Sequence, residues 1–126
     1  MILLEDFKVY QLAMEIGDLI HQVISKWDYF NKKNLGDQFI RAADSIAMNI
    51  SEGYGRFHYK ENKQFCWYAR GSLFETKTAN QKAFNRSLLT KEEFENVMTK
   101  LKRCHLLLNL YIKSIGRSNP TNDPMT

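Results

Sequence analysis

Residues 38–56 read QFIRAADSIAMNISEGYGR, and their apolar side chains recur with the period of an α-helix. At about 100° per residue, one face carries only apolar side chains, namely Leu35, Phe39, Ala43, Ile46 and Ile50. The roughly opposite face carries Arg41, Ser45, Met48 and Glu52. The pattern predicts a helix over about residues 35–52 that buries one face, and Gly53 and Gly55 predict its end.

Three more amphipathic helices are predicted around this one. The first begins at Asp6, as its N-cap, and runs to about residue 26. The third runs from residue 58 or 59 to about residue 85, and its predicted buried face includes the polar residues Ser72 and Asn80, which need hydrogen-bond partners. The fourth begins at a capping box in which Thr90 is followed three residues later by Glu93. Four long helices with short connections predict a bundle.

The fold prediction is an all-α protein, an antiparallel up-down-up-down four-helix bundle. The only two prolines among the 126 residues are Pro120 and Pro124, so no proline interrupts the helical region. Connections of a few residues between long helices imply antiparallel neighbours. Residues 1–115 are predicted to form one domain, and residues 116–126, which read GRSNPTNDPMT, a disordered tail.

Composition excludes several classes of protein. Cys66 and Cys104 have no metal-binding spacing and are expected to be buried thiols in a reducing compartment, not a disulfide scaffold. The N-terminal residues MILLEDFK do not resemble a signal peptide, and no apolar run is long enough to span a membrane. We therefore expect a soluble, cytoplasmic protein with no membrane partner.

No residue pattern indicates catalysis, a metal site or a cofactor. None of the three histidines follows a glutamate at the spacing of a di-metal bundle site, and Asp18 with His21 is a single weak pair. Glu52 and Glu75 are the only central carboxylates, and ion pairing explains them better than acid–base chemistry. Ser72 lies on a predicted buried helix face, which is poor geometry for a nucleophile. The expectation is a protein that is not an enzyme.

The strongest functional signal is a basic and aromatic stripe along the third helix. Arg56, Lys63, Arg70 and Lys77 recur every seven residues, and Trp67 and Phe74 fall between them, roughly opposite the buried face. Residues 56–91 carry eight basic and two acidic side chains, whereas residues 1–55 carry five and eight. Three interpretations stay open: nucleic-acid binding, self-association, and a solvated face with aromatic rings under Lys and Arg stems.

Three motifs occur together in this sequence: residues 38–56, residues 69–75 (ARGSLFE) and residues 7–13 (FKVYQLA). They resemble the four-helix-bundle proteins that are encoded in intervening sequences of bacterial 23S rRNA genes, and the resemblance covers about residues 5–115. Ile40 departs from the family pattern, which has an arginine at this position.

The resemblance implies a left-handed antiparallel bundle that assembles as a ring-shaped homopentamer. Relatives include the accessory protein of diversity-generating retroelements, which binds nucleic acid and a reverse transcriptase through a basic surface. The matching polar residues are expected either to contact nucleic acid or to form a structural network with the third helix or the next subunit. This polar motif comprises Gln38, Arg41, Ser45, Asn49, Glu52 and Glu75.

The sequence therefore predicts a non-enzymatic, oligomeric bundle that binds RNA or structured nucleic acid through a basic surface. The predicted contact residues are Arg56, Lys63, Trp67, Arg70, Phe74 and Lys77. The alternative is a protein-interaction scaffold without affinity for nucleic acid.

Overall fold

A computed structural model describes residues 2–117, which contain four long helices and no β-strand. The helices are α1 (Lys8–Ile24), α2 (Asp37–Tyr54), α3 (Tyr59–Asn85) and α4 (Lys91–Ser114). The all-helical prediction is confirmed. The predicted disordered tail falls mainly on residues 118–126, which lie outside the described residues.

The beginnings of α1 and α2 differ from the prediction. Leu4–Asp6 form a 3₁₀ turn, so Phe7 rather than Asp6 is the N-cap of α1. The predicted connection at residues 27–34 contains a short helical turn, Tyr29–Asn31, followed by a π-helical turn, Lys32–Gly36, that leads directly into α2. Leu35, at the start of the apolar face, is buried within this π-helical turn.

Gly53 does not end α2 as predicted. The helix continues to Tyr54, and Gly55 follows with ordinary right-handed backbone angles, so neither glycine acts as a left-handed stop. Gly53 is buried where α2 meets α3, and a Cβ atom added to it would lie 2.7 Å from the Asn62 Oδ1 atom and 2.9 Å from the Asn62 carbonyl oxygen. The glycine therefore permits close contact between the two helices.

The predicted start of α4 is confirmed. The Thr90 side chain accepts a hydrogen bond from the Glu93 main-chain N–H, and the Glu93 carboxylate accepts one from the Thr90 main-chain N–H. Lys26, just beyond the end of α1, donates a hydrogen bond to the same carboxylate at 2.6 Å. These contacts hold the pKa of Glu93 below its ordinary value, and the Lys26 hydrogen bond is the largest cause.

The core lies between the four helices, with the most extensive contact between α2 and α3. All five apolar residues predicted to face inward from α2 are buried. Ser72 donates to the Ser45 hydroxyl at 2.9 Å, and Asn80 donates to the Phe94 carbonyl at 3.2 Å, although the buried Asn80 Oδ1 atom has no hydrogen-bond partner among the described residues. The predicted amphipathic pattern thus describes the real interior.

Cys66 on α3 and Cys104 on α4 are free and fully buried. Burial raises the pKa of each thiol to about 12, because the thiolate is poorly solvated in the core. Neither thiol is therefore positioned for nucleophilic chemistry. Within residues 2–117, no helix combines the length and apolar character needed to cross a lipid bilayer.

Candidate nucleic-acid interface

Five of the six predicted contact residues lie together on the outer face of α3. They are Lys63, Trp67, Arg70, Phe74 and Lys77. We call this set the α3 stripe, and it extends over about 21 Å at the helical rise of 1.5 Å per residue. The Trp67 side chain is 47% exposed and the Phe74 side chain is 44% exposed, so both aromatic rings point away from the core as predicted.

Cations lie against both exposed rings of the α3 stripe. The Arg70 guanidinium is 5.3 Å from the centroid of the Trp67 ring and 5.9 Å from that of Phe74. The Lys77 ammonium is 5.5 Å from the Phe74 centroid. This arrangement is the one expected when cationic stems cover aromatic rings, yet about half of each ring surface stays open to solvent.

Arg56 does not belong to the α3 stripe, although its spacing predicted that it would. It precedes the first residue of α3, so the helical period does not extend to it. Its guanidinium forms an ion pair of 2.7 Å with Glu52, lies 3.5 Å from Glu61, and stacks over Phe65 with 4.7 Å to the ring centroid. Two carboxylates thus neutralise this cation beside the contact of α2 with α3.

His105 on α4 packs beside the α3 stripe, and no sequence pattern singled it out. Its ring meets that of Phe74 edge to face, with 5.1 Å between centroids, and its Nε2 atom has no hydrogen-bond partner among the described residues. The pKa of His105 lies below its ordinary value because burial disfavours the imidazolium, and because Arg70 and Lys77 repel it. The imidazole is therefore neutral at physiological pH.

We expect the His105→Gln variant to lose less stability on acidification than the wild type. The unfolded chain binds a proton as the pH falls through about 6.5, whereas the folded chain resists protonation of His105, so unfolding becomes more favourable. This loss begins near the unfolded pKa and continues until the folded pKa is reached. Urea unfolding at several pH values between about 7 and 5 measures it. The control is His58→Gln, which changes an exposed histidine outside the bundle core; equal pH profiles for the two variants would contradict the expectation.

An open groove of about 610 Å³ lies between the first half of α3 and the end of α4. We call it the α3–α4 groove. Among the described residues, its lining includes four cations and no aspartate or glutamate; the charged and aromatic members are Lys63, Trp67, Arg70, Lys113 and Arg117. Lys113 and Arg117 are not among the predicted contact residues, although the sequence places both at the basic end of the fourth helix. If consecutive helices are antiparallel, that end meets the beginning of α3.

Gly116 turns the chain back toward the α3–α4 groove after the end of α4. Its φ angle of 83° lies in the left-handed region, and a Cβ atom there would lie 3.3 Å from the Tyr59 ring. Glycine is favoured at this position because it adopts left-handed angles without strain. The following Arg117 donates from Nε to the Lys113 carbonyl at 2.6 Å. These contacts hold the last described cation at the rim of the groove.

The predicted polar motif is partly assembled, on the face that α2 shares with α3. Asn49 donates to the carbonyl and the hydroxyl of Ser45, and Ser45 in turn accepts from Ser72 on α3. A second open groove beside this network is lined by residues that include Gln38, Arg41, Ser45 and Glu75. Glu52 is separate from the network, since it pairs with Arg56. Ser45 is therefore the link between α2 and α3.

Metal-ligating side chains do not cluster within residues 2–117. No group of three His, Cys, Asp or Glu residues in this part of the chain is arranged to hold a metal ion. The pKa of Asp44 is raised by burial and by Asp18, while His21 acts in the opposite direction. Asp18, His21 and Asp44 are thus close enough to interact electrostatically, but they do not form a group that could hold a metal ion.

Comparisons with known proteins identify the fold and the family. A solved structure described as a protein of unknown function from the S23 ribosomal protein family of Bacteroides thetaiotaomicron superposes with a TM-score of 0.74 at 19% sequence identity. The superposition covers 83% of this chain and 98% of the other, and at that identity it shows the fold alone. A search of curated proteins gives no match. The sequence model described as 23S rRNA-intervening sequence protein matches residues 5–110, and the chain therefore belongs to that family.

Proposed function

We propose that this chain is a cytoplasmic, non-enzymatic protein that binds RNA or another structured nucleic acid through the α3 stripe. The observation that carries the proposal is the α3–α4 groove, which four cations and a half-exposed tryptophan line, with no carboxylate among the lining residues within 2–117. Cations for phosphates and exposed rings for bases are the two components of nucleic-acid surfaces. Lys63, Arg70 and Lys77 would contact phosphates, and Trp67 and Phe74 would contact bases.

The helix arrangement that supports this site is an antiparallel up-down-up-down bundle. The start of α1 contacts the end of α4 through the Phe7 and Tyr111 rings, 4.9 Å apart, and the end of α1 contacts the start of α4 through Lys26 and Glu93. Contacts across the other neighbouring pairs follow the same reversed order: Trp27–Phe39, Phe7–Tyr54, Ser45–Ser72, Phe84–Phe94 and Phe74–His105. The left-handedness of the bundle, which the family resemblance implies, stays a prediction.

The proposal is tested by titrating fluorescently labelled RNA with the protein at several salt concentrations and measuring anisotropy. Binding should weaken as salt rises, because cations that neutralise phosphates displace condensed counterions. We expect the double variant Lys63→Glu and Arg70→Glu to bind about a hundredfold more weakly, with a shallower salt dependence. No binding by the wild type at low salt would refute the proposal.

The matched control carries the same change in charge at two positions that do not line the groove. Lys8 at the start of α1 and Lys32 in the π-helical turn are both exposed and form no ion pair among the described residues. The Lys8→Glu and Lys32→Glu variant should bind nearly as well as the wild type. Equal losses in the two double variants would show that only the net charge matters, which contradicts a site on α3.

Self-association is the second candidate, favoured by the face that α2 shares with α3. The Met48 and Tyr68 side chains are exposed there, and Arg41 and Glu75 have no ion-pair partner among the described residues. Such uncommitted groups suit contact with another copy, in the homopentamer that the family resemblance implies, or with a different protein. Light scattering on the titration samples measures the mass, and a monomer at micromolar concentration would contradict this candidate.

A further inference from the structure

We infer that the α3–α4 groove binds one unpaired nucleotide of a single strand, with its base stacked on Trp67 and its phosphates held by the cations of the rim. This inference rests on the proposed function and adds a substrate class to it. A volume of about 610 Å³ falls within the range of small-ligand sites, so one nucleotide fits it. The cations of the α3 stripe alone do not distinguish a single strand from a duplex, because the phosphates of both attract cations.

Trp67 provides the stacking surface. Its ring lines the groove, and about half of the side chain is exposed. Arg70 stacks near the same ring at 5.3 Å from the centroid, so a cation contributes beside the aromatic surface. A base can reach this ring only when it is not stacked within a duplex, whereas bases of a single strand are free to turn toward an aromatic side chain.

The remaining walls of the groove match the other parts of a nucleotide. Lys63, Lys113 and Arg117 lie at the rim, where phosphates of a passing strand would be neutralised. Ile112 and Ile115 form an apolar wall. Asn109, which is partly exposed, presents an amide that both donates and accepts hydrogen bonds and therefore suits a base edge. No acidic side chain in the described part of the chain lines the groove to repel the strand.

Two helices contribute to this site, and the turn at Gly116 completes it. The tryptophan and two cations come from α3, while Lys113 and Arg117 come from the last turn of α4 and the residues after it. A Cβ atom at Gly116 would lie 3.3 Å from the Tyr59 ring, so that turn lies close to the start of α3, and Arg117 is held by its hydrogen bond to the Lys113 carbonyl. The rim cations are therefore held in place relative to Trp67 before any ligand binds, which reduces the ordering required for binding.

The test uses the intrinsic fluorescence of the full chain. Trp27 is buried and donates its indole N–H to the Leu88 carbonyl at 3.0 Å, whereas Trp67 is half exposed. Titration with an unlabelled single-stranded adenosine oligonucleotide should quench the Trp67 emission. A duplex with the same number of phosphates should bind about tenfold more weakly and leave the emission nearly unchanged.

Two variants separate stacking from charge. Trp67→Leu should weaken single-strand binding about tenfold and abolish the quenching, while duplex binding stays the same, and Trp67→Phe should restore part of the affinity. The double variant Lys113→Gln and Arg117→Gln should bind the single strand about tenfold more weakly. The control double variant, Lys8→Gln and Lys32→Gln, should bind it as well as the wild type does. Melting curves establish that each variant is folded, which is expected because every changed side chain is exposed.

The outcomes distinguish this inference from the proposed function. If the wild type binds single strand and duplex equally, without quenching of Trp67, the groove does not select an unpaired nucleotide, although the protein still binds nucleic acid. If neither ligand binds at low salt in the anisotropy assay, the proposed function fails together with the inference. Quenching that persists in Trp67→Leu would place the ligand near Trp27 and overturn the inference.

Discussion

The Phe39→Ala variant will unfold at a much lower urea concentration than the wild type, with a loss of about 3–5 kcal/mol in the free energy of unfolding. Phe39 is fully buried near the start of α2, and its ring lies 6.2 Å from that of Trp27. Removal of the ring leaves a cavity that the surrounding helices fill only in part. A loss of this size is a large fraction of the 5–15 kcal/mol that stabilises a typical domain. Far-ultraviolet circular dichroism during urea unfolding measures it.

The control for this variant is Phe57→Ala, which removes the same ring from the surface. Phe57 lies between α2 and α3, is 71% exposed and contacts the ring of His58. Its removal should change the free energy of unfolding by less than about 0.5 kcal/mol. Similar losses in the two variants would mean that Phe39 is not a core residue, in contradiction to the packing of α2.

The Gly53→Ala variant will also be destabilised, by about 1–3 kcal/mol, although alanine is the better helix former. The new methyl group would meet the Asn62 carbonyl oxygen at 2.9 Å and the Phe65 Cβ atom at 3.0 Å. Neither is the far end of a flexible side chain, so α2 and α3 must move apart to admit the methyl group. Because these two helices share the most extensive contact in the bundle, their separation weakens the whole core.

Gly71→Ala is the matched control for Gly53→Ala. Gly71 lies within α3, and a Cβ atom added to it meets nothing within 4 Å. Alanine at this exposed helical position should raise the free energy of unfolding by about 1 kcal/mol. The two substitutions are identical in chemistry, but the added methyl group meets close neighbours at Gly53 and open space at Gly71. The changes in the free energy of unfolding should therefore have opposite signs. A gain in stability at Gly53 would show that α2 and α3 tolerate a wider spacing.

Helical periodicity was enough to predict most of the fold. The apolar face that contains Phe39 and Ile46 is buried, α3 has the bounds that its apolar pattern predicts, and the Thr90 capping box begins α4. These features depend on neighbours a few residues apart in the sequence. Local spacing is therefore sufficient information for them.

Features that depend on contact between helices could not be read from the chain in this way. Gly53 resembled a helix stop, because a glycine that permits close packing and one that ends a helix look the same in sequence. Arg56 kept the heptad spacing of the α3 stripe but lies outside the helix, where two carboxylates reach it. Lys113 and Arg117 line the same groove as Trp67 only because α3 and α4 pack against each other. A periodic pattern on one helix contains no information about the next.

The burial of Cys66 and Cys104 has a consequence for measuring motion in this protein. A thiol with a pKa of about 12 is ionised in only about one molecule in 100,000 at neutral pH, and the thiolate is the form that reacts with alkylating reagents. Modification of the native protein therefore requires a transient opening that brings α3 or α4 into solvent. The rate of alkylation at each thiol reports how often that helix leaves the core, without any label or substitution.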